Sequence, residues 1–310
     1  MMTPDVSIVI AAWNAEAFIG EAIRSALGQV GISLEVIVAN DASTDATREV
    51  VRAFDDPRVR LVDLERNGGP SAARNAGFNA ATGRWIAVLD ADDGFKPDRL
   101  RRMIALGDAR QADAVVDNLE VLKAGEAPRP MFPEALLSGL SDIDLPTFIL
   151  SNRLFADTYN LGYTKPVFRR TFLVEHAIAY DTDIRIGEDY IFLADLLAAG
   201  GRCVVDHALG YRYTINAGSI SRVLKPRDVE IMLAADDRFL SRHRLAGAAS
   251  DAMARRRQTL HEGLAFLNCV EQLKTRRPLA AIQALVPAPA AIFLFRLPVV
   301  ARFKRLFAVS

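Results

Sequence analysis

The stretch that most constrains the fold is Trp85 to Gly94, WIAVLDADDG: five apolar residues that end in Asp90, Asp92, Asp93 and a glycine. A short apolar run bounded by polar residues fits a strand buried on both faces. Buried carboxylates are costly unless paired or metal-bound, so the acids should emerge at the C-terminal edge of that strand. In open α/β sheets, that edge is where ligands bind. Asp90 and Asp92, one residue apart there, suit a hard divalent cation beside a phosphate.

The residues before this stretch repeat one pattern. Val6–Ala12 (VSIVIAA), Leu34–Ala39 (LEVIVA) and Val59–Asp63 read as strands, and Ala114–Asn118 follows as another. Amphipathic segments alternate with them: Ala17–Leu27, a helix capped by Thr44 or Asp45 that runs to Phe54, one opening at Ser71, and one from Pro97 to Arg110. Serial β/α units predict an α/β fold, a Rossmann-like, mostly parallel mixed sheet with flanking helices. No GxGxxG occurs, so the dinucleotide fingerprint is absent. Lys123–Leu145 carries Gly125, Pro128, Pro130, Pro133 and Gly139 and reads as a loop or covering segment. Farther on, Tyr163–Phe168 resumes the core. Arg202–Val205 and Tyr211–Ile215 read as two strands, the second at an edge or antiparallel.

Several polar residues fall at the predicted sheet edge. Ala11 and Trp13 follow the first strand. Asp41 follows the second, either as a ligand contact or as plain loop and cap chemistry. The run Asn67–Gly77 (NGGPSAARNAG) brings glycines that permit a tight turn or close approach to a ligand. Arg74 sits near the start of the helix in that run, where the dipole does not favour a cation. It needs an anion, a base edge or a carboxylate partner, unless it is an ordinary surface arginine. Glu188 and Asp189 open another helix, where the dipole alone accounts for acids. An ionised carboxylate there would also serve as a base, and both roles stay open. Arg212, Arg222, His207, Ser219 and Ser221 are within reach of a phosphate.

Charge is balanced overall, at 38 basic and 38 acidic residues, but unevenly distributed: from Arg227 onward there are 14 Lys and Arg against 7 Asp and Glu. The acidic front portion argues against a nucleic-acid-binding core. Four histidines without ligand spacing disfavour zinc, and two cysteines, Cys203 and Cys269, do not make a disulfide framework. No basic region precedes the first apolar run, so the start does not read as a signal peptide and cytoplasmic chemistry is expected. The chain divides into residues 1–225, the α/β domain, and 226–310, a helical extension. Pro278–Phe295 has no charged residue and is followed by Arg296, Arg302, Lys304 and Arg305. Pro287, Pro289 and Gln283 weaken a membrane span, leaving peripheral contact with an anionic membrane, or packing on its own domain or a second subunit.

Taken in order, AAWN, ANDASTD, NGGPSAARNAG, LDADD and GED resemble the family 2 inverting glycosyltransferases of the GT-A fold, from about Val6 to Arg222. Within that family the chain looks like bacterial exopolysaccharide enzymes of the succinoglycan glucosyltransferase type. The resemblance implies a UDP-sugar donor, Mg2+ or Mn2+, and a glycan or lipid-linked acceptor. It implies that Asp41 and the Ala11–Trp13 edge meet the uracil and that Arg74 lies nearby. Asp90 and Asp92 would form the metal-binding pair, Asp92 the closer ligand, and Asp189 would be the catalytic base with Glu188 beside it. Arg212 or Arg222 would face the diphosphate. Asn40 and Ala11-Ala12 depart from the family pattern and loosen the nucleotide assignment. A nucleotidyltransferase on a related scaffold and a non-catalytic nucleotide-sugar-binding protein are the alternatives.

Overall fold

The computed structural model describes residues 3–156, 159–184, 186–216 and 224–296. In chain order the elements are β1 (Val6–Ala12), α1 (Ile19–Leu27), β2 (Leu34–Asn40), α2 (Thr47–Arg52), β3 (Val59–Asp63), α3 (Pro70–Ala80), β4 (Trp85–Asp90), β5 (Gly94–Phe95), α4 (Arg99–Ala109) and β6 (Ala114–Lys123). Next come β7 (Arg129–Pro130), α5 (Glu134–Ser138), β8 (Asp142–Ile143), α6 (Leu145–Ser151), β9 (Val167–Arg169), α7 (Arg170–Glu175), α8 (Glu188–Ala198) and β10 (Cys203–Ile215). Three helices close the series: α9 (Pro226–Arg242), α10 (Gly247–Lys274) and α11 (Pro278–Leu285), followed by a 3-10 helix, Pro289–Phe295. They form two compact units, Met1–Leu145 with Leu161–Ser219, and Pro146–Asn160 with Ile220–Ser310.

The first unit is built on one sheet in the order β3-β2-β1-β4-β9-β6-β10-β5. β3, β2, β1 and β4 run parallel. The apolar runs of β1, β2 and β4 are buried almost throughout, as strands covered on both faces must be. Because β1 lies between β2 and β4, the chain leaves its C-terminal end toward one side and leaves β4 toward the other. Such a switch point opens a crevice at the strand ends. Register fixes what lines it: Ala11 pairs with Asp90 and Ala12 with Asn40.

Beyond β4 the sheet departs from serial parallel pairing. The three-residue β9 inserts antiparallel between β4 and β6, pairing Ala87 with Val167 and Val115 with Val167. An antiparallel strand delivers the residues that precede it to the C-terminal end of its neighbour, so the chain just before Val167 arrives beside Asp90. The two strands expected at Arg202–Val205 and Tyr211–Ile215 are one strand, β10. It runs parallel to β6, with irregularities between Asp206 and Leu209 and between Leu209 and Tyr211, while Tyr211 and Arg212 also pair antiparallel with β5. The irregularities bend the strand and re-aim its side chains, as bulges do. Residues between Lys123 and Leu145 are not a bare loop but carry β7, α5 and β8.

In the second unit, Val229 and Leu233 of α9 pack on Leu260 of α10, with Leu154 from the 146–160 segment against them. Arg256 pairs with Asp236 and donates to the Asn152 carbonyl, all buried, so the middle of the Arg255–Arg257 triplet is structural. Ala291 packs against Ala265 and Phe266 of α10. Among the described residues no single helix is long and apolar enough to cross a membrane. α11 and the 3-10 helix pass that test only as a pair, bent by 116°.

One close approach sets the position of α3. A Cβ added at Gly77 would fall 2.3 Å from Val9 Cγ1 of β1. Gly77→Ala must therefore push α3 away from the sheet. It should lower stability by about 1–3 kcal/mol, the usual cost of overpacking, read as a lower urea midpoint at unchanged slope; an unshifted midpoint would show that α3 does not depend on this contact.

Candidate active site

Four elements bring charge to the crevice: α3, the end of β4, the segment before β9, and the start of α8. Asp41 shapes the loop that launches α3. Its backbone N–H donates to the Ala12 carbonyl at 2.8 Å. Its carboxylate accepts the Gly68 N–H on Oδ1 and the Gly69 N–H on Oδ2, both at 2.8 Å. Gly69 has φ +83°, which favours glycine, and Pro70 then starts α3. Asp41 is thus the anchor of the glycine turn. The two amides take one acceptor site on each oxygen of this buried carboxylate. Ala11 and an exposed Trp13 stand beside it at the end of β1.

Arg74 has a carboxylate partner, in fact three. Only 4% exposed, it donates from Nη1 to Glu188 Oε1 at 2.9 Å and Asp189 Oδ1 at 3.0 Å, and from Nη2 to Asp90 Oδ1 at 2.8 Å. Its guanidinium lies 5.2 Å from the ring centroid of Tyr180. Tyr180 is held by Asn75, whose side chain bonds both its N–H and its carbonyl, and stacks on Phe192 of α8 at 4.2 Å. Gly187, in the left-handed region at φ +84°, turns the chain so that α8 begins with Glu188 and Asp189.

A second cation, absent from the sequence expectations, completes the cluster. Lys165, 7% exposed, places Nζ 2.7 Å from Asp90 Oδ2 and 3.0 Å from Asp189 Oδ2. Burial would raise the pKa values of Asp90 and Asp189, but Arg74 and Lys165 outweigh it and hold both below the ordinary carboxylate value of 3.8. Burial would likewise lower that of Lys165, and the two aspartates reverse the direction. Glu188 goes the other way: burial and then the charge of Asp189 raise its pKa, against Arg74.

The other two acids of the opening stretch have separate fates. Asp92 accepts a hydrogen bond from Asn216 Nδ2 at 3.0 Å. Asp93 turns inward, accepting the Thr214 N–H at 2.7 Å and the Tyr211 hydroxyl at 2.8 Å; Tyr211 in turn accepts the Asp90 N–H at 3.1 Å. Burial and the neighbouring Asp90 push Asp93 up to about 8. Arg212, next to Tyr211 on β10 and so on the opposite face, is exposed. Arg222 lies outside the described residues, as do Ser219 and Ser221, and His207 bonds the Leu140 carbonyl instead.

Among the described residues, no group of three or more His, Cys, Asp or Glu stands ready to hold a metal ion. Both oxygens of Asp90 face cations, whereas the Asp92 carboxylate, among the described residues, meets the Asn216 amide. The donor set therefore fits a cation of the Mg2+ kind that takes one or two carboxylates and completes its shell with substrate phosphates and water.

The chain matches Glycosyl transferase family 2 over residues 7–174. It is 49% identical over 305 residues to the succinoglycan biosynthesis protein ExoO of Rhizobium meliloti (strain 1021), spanning 98% of this chain and 88% of that protein. It is 34% identical to ExoU of the same organism, over 83% of this chain and 76% of that one. Among solved structures it resembles S. aureus TarS 1-349 in complex with UDP (TM-score 0.62, 21% identity, 84% and 71% of the two chains). A similar likeness links it to the mannosyltransferase PcManGT from Pyrobaculum calidifontis in complex with GDP-Man and Mn2+ (TM-score 0.62, 19% identity, 98% and 81%). At these identities the structures establish the GT-A fold.

Replacing Arg74 by methionine should cost about 3–5 kcal/mol at neutral pH, because it strips a buried cation from carboxylates that stay charged. Asp90 and Asp189 have lowered pKa values in the folded state, so the stability they contribute is present above 3.8 and lost as pH falls through the folded values. The gap between wild type and Arg74→Met should therefore narrow in acid. Urea midpoints at neutral and acidic pH check this; a gap that does not change with pH would show that Arg74 acts by packing alone.

Proposed function

The chain belongs to glycosyl transferase family 2, and from that membership we propose that it transfers a sugar, glucose foremost, from a UDP-sugar to a glycan or lipid-linked acceptor in exopolysaccharide assembly. The observation that carries the proposal is the placement of Asp189: an ionised carboxylate at the head of α8, joined through Arg74 and Lys165 to Asp90 at the end of β4. This arrangement supports a base for the acceptor beside the edge where a nucleotide diphosphate would lie. The succinoglycan proteins support the exopolysaccharide setting. The UDP complex of TarS supports the donor, and the GDP-Man complex keeps a guanosine donor as the alternative.

In the proposed reaction Asp189 takes the proton of an acceptor hydroxyl as its oxygen bonds to the anomeric carbon, and the bond from that carbon to the diphosphate breaks, leaving UDP with the electron pair. One base and one displacement invert the centre, so an α-linked donor gives a β-linked product. A glycoside hydrolase would instead need two carboxyl groups flanking the bond. Glu188 is held by Arg74 and acts as a partner of the cluster rather than as a second base. Asp41, Ala11 and Trp13 form the nucleobase end, and Arg222 is assigned to the diphosphate side, because Arg212 lies on the face of β10 opposite Tyr211. Asp92, with Asp90 beside it, would hold Mg2+ or Mn2+, which when bound neutralises charge on the leaving diphosphate.

Family membership favours transfer over nucleotidyl chemistry, and Asp189→Asn separates an enzyme from a binding protein. That variant should lose transfer by about 10²–10⁴-fold while still binding UDP. Near-wild-type turnover would remove Asp189 as the base; absence of metal-stimulated UDP release in the wild type, with UDP still bound, would favour the binding protein. Asp92→Ala should weaken metal-dependent donor binding, and unchanged metal dependence would move the ligand elsewhere.

The second unit supports peripheral contact with the inner face of the cytoplasmic membrane. Leu279, Ile282 and Val286 of the α11 region and Phe293 are each more than 60% exposed. Lys274, Arg276, Arg277 and Arg296 are exposed around them, and no acidic residue follows Glu271 in the sequence. Apolar and basic groups together fit an anionic lipid surface. Ile282→Asp with Phe293→Asp should abolish co-sedimentation with phosphatidylglycerol vesicles. Retained binding would sink this assignment, and a change in oligomeric state without lipid binding would assign the face to a second copy of the chain.

A further inference from the structure

Lys165 takes no part in the proposed proton transfer or displacement, yet it is buried at a cost in free energy. A buried lysine gives up its hydration and its rotamer freedom. In return, its Nζ takes one oxygen of each aspartate, Asp90 Oδ2 and Asp189 Oδ2, while Arg74 takes the other oxygen of each. Two cations and two carboxylates close a ring. Within it, Lys165 and Arg74 together bracket Asp189, so the carboxylate cannot rotate without breaking a charged contact.

Lys165 is itself held from behind. Pro166 restricts the residue before it to extended conformations. Its carbonyl accepts a hydrogen bond from Arg99 Nη2. Arg99 is in turn gripped by Asp117 through Nε at 2.9 Å and Nη2 at 2.8 Å, with neither side chain exposed. The Arg99 guanidinium lies 4.6 Å from the Phe95 ring centroid and 5.2 Å from that of Tyr211. A Cβ at position 210 would come within 2.1 Å of Asp117 Oδ2, so Gly210 keeps the space this pair needs. An unbroken series of contacts thus runs from β6, through Asp117, Arg99 and the Lys165 backbone, to the carboxylate at the head of α8.

We propose that Lys165 is a positioning residue that fixes the direction of the Asp189 carboxylate and its spacing from Asp90, and that the buried Asp117–Arg99 pair sets Lys165. The proposal rests on Asp189 being the base. A lysine that served the diphosphate directly would govern donor binding. One that orients the base governs turnover, because a small misplacement of a catalytic group costs rate rather than affinity.

The test uses the full chain and the variants Lys165→Met, Lys165→Arg, Asp189→Asn and Lys165→Met/Asp189→Asn, with kcat and donor KM from UDP release and UDP binding measured by calorimetry. Lys165→Met should lower kcat about 10²-fold with donor KM within about threefold, Lys165→Arg should recover much of the loss, and the double variant should be no slower than Asp189→Asn. A raised donor KM at unchanged kcat would make Lys165 a diphosphate ligand and overturn the proposal. So would wild-type kinetics in Lys165→Met, or a double variant slower by the product of the two single losses. Where Lys165→Met does not fold, as judged by its circular dichroism, Lys165→Gln takes its place under the same criteria, and a folded Lys165→Met that no longer binds UDP also overturns the proposal. Undiminished turnover in Asp189→Asn is a separate result: it removes the base assignment itself.

Discussion

The site depends on keeping like charges together in a place that water only partly reaches. Asp90, Glu188 and Asp189 converge from β4 and α8, and without cations their mutual repulsion and desolvation would drive those elements apart. Arg74 bonds all three, and Lys165 bonds the two aspartates. Each cation also needs the carboxylates, since its own burial is affordable only when paired. The cluster therefore holds α3, β4, α8 and the segment before β9 in one geometry. Electrostatic preorganisation of this kind allows a base to act without rearranging at the moment of reaction.

Below the ring, β10 supplies the support. Its bulges carry Tyr211 under Asp90 and bring Thr214 to Asp93. The three acids of LDADD thus divide the labour by orientation. Asp90 is tied into the ring, Asp93 is spent on the turn, and Asp92 faces an amide. Local geometry, not residue type, distinguishes them.

The parallel half of the sheet was legible because β1, β2 and β4 are apolar runs ending in polar residues, and period and length identify such strands. Asp189 at a helix start and Asp90 at a strand end were legible for the same reason. The dipole left Arg74 either in need of an anion, a base edge or a carboxylate, or an ordinary surface arginine; its pairing with Glu188 and Asp189 could not be read, because α8 lies more than a hundred residues away. Lys165 was hidden in an apolar segment that reads as core. Its one signal was a lysine inside such a segment, and only the antiparallel insertion of β9 shows why it stands beside Asp90. Asp117, an acid within the buried strand β6, was a similar signal for Arg99. Tyr211 and Cys203 fell into two apparent strands because bulges disrupt the alternation that pattern reading uses.

Arg74 and Lys165 hold Asp189 ionised in the protein before any substrate arrives, as the proposed base must be. This is tested most directly by 13C NMR of aspartate side-chain carboxyls, with the Asp189 resonance assigned by its loss in Asp189→Asn. Asp189 is expected to titrate below the ordinary value of 3.8 and to be fully ionised at neutral pH. A titration raised into the range of a general acid, about 6, would contradict it.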